Sequence, residues 1–220
     1  VARAIRKARE MALLPFVVIM FSLSRWSGGL INRFGAHLPL MVGPAVAAAG
    51  FALFALPGLS GNYWTSFFPA VIVLGLGMAI TVAPLTTTVM GSVSEEQAGV
   101  ASGINNAVSR TAGLLAIAVF GVVILHVFSF DLGRRLNEFG FDPALKNAVY
   151  EQRVKLAGLE VPKTADAAAH EQMKQAVAGS FVFGFRLIML LSAALAVASG
   201  VSSWLLIGKS RRANARHQRD

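Results

Sequence analysis

Residues 71–125 hold two long apolar runs joined by one short acidic turn, Ser92-Val93-Ser94-Glu95-Glu96-Gln97. Each run is about 25 residues long, and roughly 20 residues of helix suffice to cross the hydrocarbon of a bilayer. Both runs are rich in Gly, Ala, Ser and Thr, and the second carries Asn105, Asn106 and Arg110 in mid-span. Small residues let helices pack closely, and polar ones at that depth are kept where they meet something polar.

Composition agrees. The chain is 55% hydrophobic and 14% charged, with a mean hydropathy of +0.61, whereas soluble domains are nearer a quarter charged. The net charge of +9 gathers at the ends, in Arg3, Arg6, Lys7 and Arg9 and in Lys209, Arg211, Arg212, Arg216 and Arg219. Beside an apolar span such a tail marks a cytoplasmic flank rather than a nucleic-acid surface. Without cysteine the chain has no disulfide and no thiolate metal site. The first ten residues are charged, and the run after them is too long for a signal peptide.

In chain order the expectation is a basic lead (1–10), four transmembrane helices within 11–125, an extracytoplasmic loop (126–179), a last span (180–207) and a basic tail (208–220). The four earlier spans are 11–31, 38–56, 65–90 and 98–125. The loop holds seven acids and seven Lys or Arg and reads as solvated and partly helical. With the tail inside, the turns at 32–37 and 91–97 are also inside and the loop is outside. The basic lead would then lie outside, against the charge rule. It is therefore read as part of a longer loop or as foreign to the native frame, and the chain, which starts at Val1, as a fragment.

Gly99, Gly103, Asn106 and Arg110 are separated by 4, 7 and 11 positions, which puts them on one stripe of a helix. An unpaired Arg at mid-bilayer costs about 2.5–3.5 kcal/mol on insertion scales. Asn106 and Arg110 are thus candidate cavity-lining residues, against the alternative of an Arg that bonds to neighbouring carbonyls. Pro84 kinks the third span, and Thr86, Thr87 and Thr88 are expected to satisfy the backbone groups it frees. Arg25 and Arg186 are the other charges within spans, and Arg186 is expected to snorkel to the outer interface. No Asp or Glu falls inside any of the five spans. No Walker, HExxH or GxSxG sequence and no paired His or Cys ligands occur, so neither an enzyme, a metal site nor a cofactor is expected.

Residues 29–37, Gly-Leu-Ile-Asn-Arg-Phe-Gly-Ala-His, resemble the loop motif G-x-x-x-D-R-x-G-x-R/K of the major facilitator superfamily. Gly29, Arg33 and Gly35 match; Asn32 replaces the Asp, and His37 stands where Lys or Arg is usual. The later stretch, with Pro84, Gly99, Ser102, Gly103, Asn106, Arg110 and Gly113, is similar to the EmrB/QacA-type fourteen-span drug:proton antiporters. The resemblance covers about residues 11–207. It implies an all-α polytopic bundle of about five spans, the C-terminal part of a major facilitator fold in the inner membrane with its C-terminus cytoplasmic. It also implies proton-coupled efflux of lipophilic or amphipathic drugs. The implied partners are a small-molecule substrate, protons, the lipid bilayer and a missing N-terminal half, with a periplasmic adaptor as a candidate at the outer loop. Gly99, Gly103 and Gly113 would serve helix packing, Pro84 gating, and Gly29, Asn32, Arg33 and Gly35 the cytoplasmic loop. The family's coupling acids would lie outside this stretch, and Asn32 lacks the carboxylate that the motif's Asp brings to a charge relay. The rival reading is a non-transporting remnant or membrane interaction subunit; a membrane-embedded enzyme lacks any catalytic cluster.

Overall fold

A helix bonds its own backbone groups, so a chain this apolar can cross hydrocarbon only as helices or as a closed barrel. The computed structural model describes residues 15–23, 35, 37–59, 62–162 and 166–217, and no strand occurs among them. The helices are α1 (15–23), α2 (His37–Phe54), α3 (Phe68–Met90), α4 (Ala98–Glu138), α5 (Pro143–Glu151) and α6 (Ala167–His217). A π turn at Tyr63–Phe67 leads into α3, and 3-10 turns occupy Glu95–Gln97 and Gln152–Gly158. Four stretches are long and apolar enough to cross a membrane: His37–Phe54, Tyr63–Met90, Glu95–Glu138 and Ala167–Leu205. The protein is thus an all-α, multi-pass membrane bundle. Of the first expected span, residues 15–23 are helical; the rest, Arg25 included, lies outside the described residues.

The described residues divide into two compact units, one drawn from 1–56, 61–109 and 190–220, the other from 57–60 and 110–189. In the first, α2 and α3 meet backbone to backbone. A Cβ added at Gly50 would lie 2.6 Å from the Leu74 amide nitrogen, and one at Gly77 would lie 2.7 Å from the Ala47 Cα. Lipid tails are as apolar as side chains, so such helices associate through close van der Waals contact. Pro44 of α2 and Pro84 of α3 are both buried. The α3 entrance is fixed by Asn62, whose side chain accepts a hydrogen bond from the Trp64 amide at 3.2 Å, and by Pro69 in the first turn. Thr86, Thr87 and Thr88 donate to the carbonyls of Val82, Ala83 and Pro84 at 3.1, 3.0 and 2.7 Å. The carbonyl that Pro84 frees is that of Ile80, four residues back. The three hydroxyls therefore serve their own i−4 carbonyls, contrary to the sequence expectation.

The second unit has its own core, although its loop region is rich in charge. Phe128, Leu132 and Leu136 of α4 pack with Phe141, Val149, Leu159, Met173 and Val177. Asp142 caps α5, accepting from the Ala144 amide at 2.9 Å, and Asp166 caps α6, accepting from the Ala169 amide at 2.6 Å; each such cap contributes about 1 kcal/mol. Helix α4 runs on to Glu138, past position 125, because its charges pair along its own surface. Arg135 Nε donates to Asp131 Oδ2 at 2.6 Å, and Arg134 pairs with Glu138 at 3.1 Å. The acid at position 131 is buried. A Cβ added at Gly179 of α6 would lie 3.0 Å from Arg135 Nη1, so the guanidinium lies against that glycine.

Candidate functional site

Helix α4 carries the predicted stripe. Gly99, Gly103, Asn106, Arg110 and Gly113 all belong to it and are all exposed. Gly99 and Arg110 stand about 16 Å apart along the axis, at about 1.5 Å per residue. Among the described residues nothing comes within 4 Å of a Cβ added at Gly99, Gly103 or Gly113, and Arg110 has no ion-pair partner. Apolar residues of this stretch are equally uncovered: Val100, Ile104, Val108, Leu114 and Leu115 are each 60% exposed or more. The helix thus presents small and polar residues beside exposed apolar ones. Such a surface can admit a second backbone at the glycines while Asn106 and Arg110 offer hydrogen bonds to whatever lies beside them.

Pro84 is a further described member of the expected set, buried in α3. Gly29, Asn32 and Arg33 lie outside the described residues. Gly35 is described, with φ of 72°. That conformation is readily open to glycine and costs other residues about 1–2 kcal/mol.

Three features were not apparent from the residue pattern. One is the Asp131–Arg135 pair against Gly179. Its signal was an Asp four residues before an Arg, the favoured helical order. Another is a cavity of about 520 Å³ whose lining includes Asp142 and Asp166, although both carboxylates are engaged in capping. The third is an apolar groove edged by Lys174. Arg186, expected to snorkel, donates from its Nη2 to the Pro57 carbonyl at 3.3 Å. Among the described residues no group of three His, Cys, Asp or Glu could hold a metal ion.

A family model described as the Major Facilitator Superfamily matches residues 8–117. The multidrug resistance protein Stp of Mycobacterium tuberculosis is 26% identical over 209 residues, which cover 88% of this chain and 36% of that protein. The tetracenomycin C resistance and export protein of Streptomyces glaucescens is 34% identical over 113 residues, 51% of this chain and 21% of that one. The lincomycin resistance protein of Streptomyces lincolnensis is 37% identical over 92 residues, 42% of this chain and 19% of that one. The chain therefore spans little more than a third of the length of Stp, and the alignments to the other two cover about a fifth of each.

Proposed function

The chain belongs to the major facilitator superfamily, and from that membership we propose that it contributes C-terminal spans to a fourteen-span, inner-membrane exporter of lipophilic or amphipathic compounds, driven by protons. The observation that carries this reading is the uncovered stripe on α4. An Arg and an Asn on a membrane helix are retained where they border water, a ligand or a partner, and among the described residues no carboxylate pairs with Arg110. In the proposed role Gly99, Gly103 and Gly113 seat a neighbouring helix. Asn106 and Arg110 line a central cavity shared with spans of the missing N-terminal half. Pro84 bends the partner helix, and the turn from Gly29 to Gly35, with Asn32 and Arg33, shapes the cytoplasmic side. The tail after α6 would then be cytoplasmic, by its basic charge. The name of Stp, a multidrug resistance protein, supports a cavity that tolerates unlike compounds.

Arg110→Ala in the full-length protein tests the reading. Drug resistance is expected to disappear at unchanged membrane abundance, and unaltered resistance would reject Arg110 as a functional residue.

A further inference from the structure

The groove beside Lys174, wholly within the second unit, has no part in that reading. It is a cavity of about 350 Å³, walled by Val177, Phe181 and Val182 of α6 and by Leu159 and Val161 of the connection before it. Lys174 is the one charged side chain on its lining, and it has no ion-pair partner among the described residues. The volume is at the low end for ligand sites. Lys174, Val177, Phe181 and Val182 follow helical spacing, so they share one stripe of α6. Phe181 and Val182 stand at the start of the apolar run that follows Ser180, and Lys174 lies about 10 Å nearer the connection. The groove therefore climbs from the edge of the hydrocarbon to the depth at which lipid headgroups sit. The hydrogen bond from Arg186 to the Pro57 carbonyl holds residues 57–59 beside α6, where Leu59 closes the remaining wall.

A trench of apolar side chains with a single ammonium at headgroup depth selects an amphiphile by charge. A cationic one would set its charge against Lys174, and a zwitterionic one would offset its own phosphate. We propose that this groove binds one anionic phospholipid of the surrounding leaflet, its phosphate on Lys174 Nζ and an acyl chain along Val177, Phe181 and Val182. This rests only on α6 crossing a bilayer and not on transport.

The test is native mass spectrometry of the full-length protein after reconstitution in nanodiscs of mixed phosphatidylcholine and phosphatidylglycerol. The wild type is expected to retain phosphatidylglycerol over phosphatidylcholine about five-fold, the preference one lysine confers on an anionic lipid. Lys174→Glu, at an exposed side chain, should bring that ratio to one or below. Ala178→Phe, which fills the groove, should remove both adducts while the protein still elutes as a single species in gel filtration. Equal retention of the two lipids by the wild type would overturn the proposal. So would an unchanged ratio in Lys174→Glu, a free fatty acid in place of the phospholipid, or no lipid adduct at all.

Discussion

At Arg135 the helix surface becomes an anchor. Its guanidinium holds the buried Asp131 carboxylate and lies against Gly179. Arg135→Ala leaves that carboxylate without its partner, at a cost of about 1–3 kcal/mol. Arg134→Ala, which breaks only an exposed pair, costs less than about 1 kcal/mol. Thermal unfolding of the purified protein should separate the two variants by several degrees. Glycines divide in the same manner. Gly77→Val drives a side chain into the Ala47 backbone and should destabilise by about 1–3 kcal/mol or more. A Cβ added at Gly103 meets nothing within 4 Å among the described residues, so Gly103→Val should not destabilise this chain and, on the proposed function, should impair transport by the full-length protein. The two roles were not separable in the residue string, because a packing glycine and an uncovered one sit in the same kind of apolar run.

At the scale of elements, the apolar runs and their turns made the long helices legible, since only length and hydropathy were needed. The core of the second unit was less so. Phe128, Leu132 and Leu136 repeat every four residues, but they are interleaved with Asp131, Arg134 and Arg135, whose charge suggested a solvated loop. Pairing those charges along one helix lets the apolar face continue inward. Phe128→Ala should cost about 3–5 kcal/mol and open this region locally. Hydrogen exchange would show faster exchange in α5 and the start of α6, while α2 and α3 keep their protection. The stripe on α4 was legible from spacing alone. What it faces was not, because none of the described residues covers it.

For the molecule as a whole, family membership was readable early, through the motif beginning at Gly29 and the pattern from Pro84 to Gly113; five spans were expected, and four helices long and apolar enough to cross a membrane lie among the described residues. This chain has no cysteine, so single cysteines placed at 106 and 110 meet no competing thiol within it. On the proposed function, a membrane-impermeant thiol reagent should reach both in at least one state of the full-length protein. Protection of both under all conditions would remove the cavity from the account. The contact between α2 and α3 has a practical corollary. Detergent parts membrane helices by wedging its tails between side chains, and where Gly50 lies on Leu74 and Gly77 on Ala47 there is no layer to wedge. This hairpin should stay closed through solubilisation and give a compact, fast-migrating band on denaturing gels, one that Gly77→Val converts to a slower, extended form.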